Sequence, residues 1–227
     1  MLNWKQRFDI IVGMARGIAY LHQEYHVCII HRDIKPSNVL LDDNLQPKIA
    51  DFGLVKLLPG DQSHLSTNFA GTLGYTAPEY AIHGQLTEKV DTYSFGVVIL
   101  EIISGRKNSD PKFETANQYL LEWVWKLYEE DDLGKVIDKS LDPEEYKLEE
   151  VNRVLKIALI CTQSVVAARP NMSEVVVLLL SQAEPKLEPA RPVFIDASNR
   201  ARADTSSSGW SSSASNATAS LSHLSAR

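Results

Sequence analysis

His31-Arg32-Asp33-Ile34-Lys35-Pro36-Ser37-Asn38, Val39-Leu40-Leu41, Asp42-Asp43-Asn44, Lys48-Ile49-Ala50 and Asp51-Phe52-Gly53 follow one another within 23 residues, and this stretch decides how the chain is read. Two short apolar runs flank a turn-rich triplet, so the spacing predicts a β-hairpin with 39–41 antiparallel to 48–50. In that register the residue entering the first strand and the one leaving the second lie side by side, roughly 5 Å apart, so Asn38 and Asp51 converge.

An amide oxygen and a carboxylate held together at a loop edge are hard-oxygen ligands. They suit Mg²⁺, which keeps waters and is completed by substrate phosphates. Asp33, on the preceding loop, is placed to accept a proton from a substrate hydroxyl. Lys35, two residues on, offers a cation to a phosphoryl group in transit, where charge stabilisation and positioning do most of the work.

Working outward, Phe8, Ile11, Ala15, Ile18 and Leu21 give Gln6 to Tyr25 a one-sided apolar stripe, the pattern of an amphipathic helix. Val27-Cys28-Ile29-Ile30 reads as a short strand. Residues 51–80 hold Gly53, Pro59, Gly60, Gly71, Gly74 and Pro78 among many hydroxyls. That is too long for an ordinary connection and is expected to be a functional loop. Val90 to Ser104 is apolar nearly all round, as a buried central helix would be, and Gly105 suits its C-cap. Helices are expected at Tyr119 to Glu129, Glu149 to Cys161 and Ser173 to Ala183. The expected domain, residues 1–183, is therefore mainly α, of the α+β kind. Thr205 to Arg227 has ten serines in 23 residues and a single charge, so residues 184–227 are expected to form a disordered Ser-rich tail.

Of the 227 residues, 44% are hydrophobic, enough for a core, and 29 acids against 23 bases leave a net charge of −6. With no run of basic residues, a nucleic-acid partner is not expected. The longest apolar run, Val175 to Leu180, is far shorter than a membrane span needs, and no secretory leader opens the chain; insertion into a membrane is not expected. Asn216-Ala217-Thr218 is then a chance match to a glycosylation pattern. Cys28 and Cys161, without metal-type spacing, are expected to be free thiols.

Together these motifs resemble the signature set of the eukaryotic protein kinase family. His31-Arg32-Asp33 with Asn38 is similar to the catalytic loop, with Ile34 where Leu is usual. Asp51-Phe52-Gly53 is similar to the metal-binding motif, and Ala77-Pro78-Glu79 to the triplet that closes the activation segment. The resemblance runs from about Trp4 to Leu180 and implies the large carboxy-terminal lobe of a kinase-like fold. By that resemblance Asp33 is the catalytic base, Lys35 contacts the γ-phosphate of ATP, Asn38 and Asp51 hold Mg²⁺, and Leu40 floors the adenine pocket. Thr72 matches the residue that links base and lysine to a Ser/Thr substrate. Asp91 corresponds to the carboxylate that anchors the catalytic-loop backbone, Arg169 to the partner of Glu79, and His31 and Phe52 to structural members of their motifs. Arg32 implies a buried cation that a phosphate on the activation loop would pair with, joined by Lys56. Thr67, then Ser63 and Ser66, are the expected acceptors. The phrase Gly71-Thr72-Leu73-Gly74-Tyr75-Thr76-Ala77-Pro78-Glu79-Tyr80 and the serine-rich tail resemble plant receptor-like kinases, especially the cysteine-rich subgroup.

One departure is plain. A kinase small lobe needs a glycine-rich loop, a strand lysine and a helix glutamate. No Gly-x-Gly occurs anywhere, and Lys48 lies within the hairpin. The chain is therefore expected to be a truncated large lobe without its small lobe, weak or inactive alone and cytoplasmic as it stands, from a parent at the plasma membrane. Its expected partners are protein substrates and other receptor-like kinases. The competing expectation is a non-catalytic docking or decoy module. A P-loop NTPase is excluded because Gly-x-x-x-x-Gly-Lys-[Ser/Thr] is absent.

Overall fold

Helix α1 (Trp4–Ala19) starts where Asn3 can cap it. The Asn3 side chain accepts the Gln6 N–H at 2.9 Å, and the Gln6 side chain accepts the Asn3 N–H at 3.0 Å, a reciprocal capping box. The computed structural model describes residues 2–108, 119–183 and 185–192, all within one unit spanning Met1–Val193. One π-helical turn, Tyr20–Glu24, closes the helix that the apolar stripe predicted, and it carries Leu21 and His22 inward.

The rest of the core is helical. Helix α3 (Lys89–Ser104) is buried along nearly all its length and ends at Gly105, whose φ of 64° is the left-handed C-cap conformation. Helix α5 (Leu148–Cys161) packs along α3. Helix α4 (Leu120–Glu129) covers another side of α3, and α6 (Met172–Leu180) lies on α1. Each fully buried Ile, Leu or Val contributes about 1.5–3 kcal/mol, so this packing, rather than the surface ion pairs, holds the unit together. Helix α6 stops at Leu180, short of the expected Ala183, because Ser181 turns extended.

Among the described residues, three two-stranded antiparallel ribbons decorate the helices. β1 (Cys28–Ile30) pairs with β4 (Lys56–Leu58), β2 (Val39–Leu41) with β3 (Pro47–Ile49), and β5 (Leu65–Ser66) with β6 (Gln85–Leu86). The expected hairpin is present, but its register differs by one residue. Val39 faces Ile49, and Asn38 faces Ala50 rather than Asp51, with the Ala50 N–H donating to Asn38 O at 2.9 Å. The turn is the cause. The Asp42 carboxylate accepts the N–H groups of Asn44 and Gln46, Leu45 adopts φ 61°, and Asp42 N–H closes on Gln46 O. A three-residue loop with one left-handed residue sets that pairing.

The hairpin docks on α1 at Gly13 and Gly17. A Cβ on Gly13 would stand 2.5 Å from the Pro47 ring, and one on Gly17 would stand 3.3 Å from Ile49. Helix and hairpin therefore meet at backbone distance. At the other end, residues 185–192 contact α4: the Tyr128 hydroxyl donates to Glu188 at 2.9 Å, and Arg191 meets Glu129 at 3.0 Å. The Ser-rich stretch of the expected tail lies outside the described residues.

Cys28 and Cys161 are free thiols. Burial pushes them up to about 11 and about 12, so neither is a ready nucleophile.

Candidate active site

The catalytic-loop backbone hangs on one buried carboxylate. Asp91, in the first turn of α3, accepts the Arg32 N–H at 2.8 Å on Oδ1 and the His31 N–H at 2.7 Å on Oδ2. His22 Nε2 stands 2.9 Å from the same Oδ2, with both side chains fully buried. These contacts keep Arg32 at φ 73°, a left-handed conformation that costs a non-glycine residue on the order of 1–2 kcal/mol and persists only when its surroundings dictate it. His31 receives the Asp33 N–H on Nδ1 at 3.3 Å and reaches Ala50 O with Nε2 at 3.0 Å. Its ring meets Phe52 edge-on at 5.2 Å, so it joins the loop to the start of the next motif.

Asp33 is the centre of the cluster. Thr72 Oγ1 donates to its Oδ1 at 2.6 Å, and Lys35 Nζ reaches its Oδ2 at 2.8 Å, as does Asn38 Nδ2 at 2.9 Å. Lys35 also donates to Thr72 Oγ1 at 2.8 Å, closing a triangle of base, cation and hydroxyl. Burial pushes the Asp33 carboxyl upward, but hydrogen bonds from Lys35 and Thr72, the Lys35 charge and the Asn38 amide outweigh it. The carboxyl is held below the ordinary carboxylate range, as an anion ready to take a proton.

Asn38 spends both amide hydrogens on Asp33, one on the carboxylate and one on the backbone carbonyl. Its Oδ1 has no hydrogen-bond partner among the described residues. Asp51 is exposed and left-handed at φ 64°, and among the described residues its carboxylate accepts only the Gly53 N–H, at 3.3 Å. A neutral amide oxygen and one carboxylate suit Mg²⁺, which takes few protein ligands and leaves the rest to water and phosphate. Among the described residues no group of three or more His, Cys, Asp or Glu side chains is placed to hold a metal ion.

The segment after the hairpin is pinned at its far end. Ser94 donates to Tyr75 O at 2.7 Å. The Tyr75 hydroxyl and the Asn108 N–H both donate to the Glu101 carboxylate, while Asn108 Nδ2 holds Gly74 O at 2.9 Å. Gly71 sits at φ 132°, and a Cβ there would come within 2.7 Å of Arg32 O, so only glycine lets the segment cross the catalytic loop. Glu79 pairs with Arg169 through two bonds, at 2.6 and 2.8 Å. The Arg169 side chain is fully buried, and its Nε donates to Gln163 O at 2.6 Å.

The structure thus gathers Asp33, Lys35, Asn38, Thr72 and His31, with Asp51 and Phe52 just beyond. Leu40, Leu41, Phe52 and Leu57 are each at least 41% exposed. Arg32 is buried as expected, but among the described residues no bond joins it to Lys56, Ser63, Ser66 or Thr67. Its guanidinium donates instead to the Tyr80 hydroxyl and to Asn68 O. Lys56, Ser63 and Ser66 are exposed, and Thr67 is tied by its N–H to Gly84 O at 3.1 Å. Sequence reasoning missed His22, Tyr80 and the Tyr75–Glu101–Asn108 group. For Tyr80 a signal existed, a large aromatic directly after Glu79; for the others none stood out.

A helical unit that gathers a carboxylate, a lysine and an unpartnered amide oxygen on one loop edge is the arrangement that the kinase-like motifs led one to expect. Residues 2–178 match the protein kinase domain, and the chain belongs to the protein kinase family. It is 52% identical over 180 residues to Cold-responsive protein kinase 1 of Arabidopsis thaliana, covering 79% of this chain and 46% of that protein. It is 48% identical over 200 residues to Cysteine-rich receptor-like protein kinase 2 of the same plant, covering 86% of this chain and 31% of the relative. A probable LRR receptor-like serine/threonine-protein kinase, also from Arabidopsis thaliana, is 49% identical over 194 residues, covering 86% of this chain and 19% of the relative. The chain therefore spans less than half the length of each of these relatives. No helix among the described residues is long and apolar enough to cross a membrane.

Proposed function

We propose that this chain is the catalytic large lobe of a plant receptor-like protein serine/threonine kinase, transferring the γ-phosphoryl group of Mg²⁺-ATP to a Ser or Thr hydroxyl. The observation that carries this reading is the Asp33–Lys35–Thr72 triangle, closed by bonds of 2.6 to 2.8 Å. Asp33, held anionic, takes the hydroxyl proton. Thr72 fixes its Oδ1 and orients Lys35, which leaves Asp33 to meet the phosphoryl oxygens. Asn38 Oδ1 and the Asp51 carboxylate would hold Mg²⁺, whose chemistry is to neutralise charge on the phosphates. Leu40 would lie beneath the adenine. Phosphates on Thr67, Ser66 or Ser63 would act on the loop through Arg32, with Lys56 as a secondary cation.

Alone, the chain has little means of clamping a triphosphate, since it holds no Gly-x-Gly loop. We therefore propose weak or no transfer until a small lobe is supplied, protein substrates and related receptor-like kinases as partners, and a parent protein at the plasma membrane with this lobe on its cytoplasmic side. A second reading, a docking or decoy lobe, is favoured by one observation: Leu40 in the hairpin and Phe52 just after it, both large and apolar, stand 57% and 49% exposed. Calorimetric titration of the purified chain with Mg²⁺-ATP separates the two. Saturable binding that is lost in Asp51→Asn supports the enzyme reading. A folded chain that binds none at millimolar nucleotide, and still binds none once joined to the small lobe of a related kinase, rejects it in favour of docking.

A further inference from the structure

Tyr80, in α2 (Pro78–His83), has no exposed surface, and four hydrogen bonds converge on its hydroxyl. The oxygen accepts from Arg32 Nε at 2.9 Å and from Arg32 Nη2, and it also accepts the Ala70 N–H at 3.1 Å. The hydroxyl donates to Asn68 O at 3.1 Å. Arg32 Nη2 reaches Asn68 O as well, at 3.4 Å, and the guanidinium lies 5.5 Å from the Tyr80 ring centroid. Phe69 packs against the same ring at 5.8 Å. One phenol therefore ties together the catalytic loop, residues 68–70 and α2.

A buried guanidinium is costly unless its N–H groups are satisfied. Among the described residues Arg32 has no carboxylate partner; its partners are the phenol and a backbone carbonyl. The same buried edge is where a phosphate on the segment would be read, yet the unmodified chain already fills part of it. Nη1 is left without a partner among the described residues.

We infer that Tyr80 is a positioning residue that holds Arg32, and through Arg32 the backbone of Asp33, while the activation segment carries no phosphate. The order of the segment is then a property of the unmodified chain, and an anion on residues 63–67 adds to it through Nη1 rather than creating it. This deepens the reading of Asp33 as the base and rests on it.

The test is hydrogen–deuterium exchange on the full chain, comparing wild type, Tyr80→Phe, Arg32→Ala and the double variant. The amides to watch are Asp33, bonded to His31, and Thr67, bonded to Gly84, because neither touches Tyr80. Tyr80→Phe keeps the buried ring and should speed exchange at both by about tenfold, the worth of one hydrogen bond to a charged group. Arg32→Ala should do the same. The double variant should exchange no faster than the faster single, as for two halves of one contact. Unchanged exchange at Asp33 and Thr67 in Tyr80→Phe overturns the inference, and so do single effects that multiply in the double. Should Tyr80→Phe also unprotect α3, Arg32→Ala decides: unchanged Thr67 exchange in that variant overturns it. Exchange reads neither nucleotide nor turnover, so a failed Mg²⁺-ATP titration would bear on the enzyme reading and leave this result standing.

Discussion

The Thr72 hydroxyl donates to Asp33 Oδ1 at 2.6 Å, although the two residues are 39 positions apart. The contact exists only because the activation segment folds back over the catalytic loop. It makes the anionic state of Asp33 dependent on the segment.

Acid stability should report that dependence. Asp33 is held below the ordinary carboxylate range, so its contribution is complete above that range and is lost as pH falls through the depressed value. Thr72→Val removes a donor and keeps the volume, which raises the carboxyl toward its usual value. The acid limb of an unfolding-versus-pH curve should therefore move to higher pH in the variant. An acid limb that stays in place would show that Thr72 does not act on the carboxylate.

Turnover gives the second prediction. With the chain joined to the small lobe of a related kinase, Asp33→Asn should lower kcat on a Ser/Thr peptide by about 10² or more through loss of the proton acceptor. The substitution keeps the side-chain volume, and its amide oxygen can still accept from Asn38 while its NH₂ donates to Thr72 Oγ1, so the fold should hold. Near-normal kcat in a folded variant would remove Asp33 from the role of base.

Gly71 supplies the third. Gly71→Ala forces a side chain onto a left-handed residue and drives its Cβ to within 2.7 Å of Arg32 O, a backbone atom with no freedom to move aside. The expected cost is about 1–3 kcal/mol, with roughly 2–4 °C of Tm lost for each kcal/mol. A Tm unchanged within a degree would mean that the segment can shift away from Arg32 without penalty.

Much of this molecule was readable in the amino-acid order, and the unreadable parts share a cause. The helices from Trp4, Leu120, Leu148 and Met172 declare themselves because one-sided burial imposes a 3.6-residue period on the apolar residues, and the one from Lys89 because it is apolar nearly all round. The hairpin showed in its turn residues, but its register did not, since that depends on whether Leu45 goes left-handed, a choice no periodicity encodes. Asp33, Lys35, Asn38 and Asp51 stood out because they lie close in sequence. His22, Tyr80 and Glu101 did not, because each meets its partner across a long loop and otherwise looks like an ordinary helix residue. Arg32 falls between these cases: its place beside Asp33 suggests a buried cation, while nothing in the sequence points to the Tyr80 phenol that it meets in the unmodified chain.

The packing of α1 on α6 has a consequence for synthesis. The apolar stripe of α1, with Ile10, Ile11, Met14 and Ile18, is complete once Ala19 has been added, but α6 begins at Met172. A ribosome adds the roughly 150 intervening residues in about 8–30 s, during which α1 can meet the hairpin and then α3 but not α6. Helices α3 and α5 meet sooner after they are made, so the centre of the unit can consolidate first. The first helix therefore waits on the last, and that wait is when a nascent chain has most need of a chaperone.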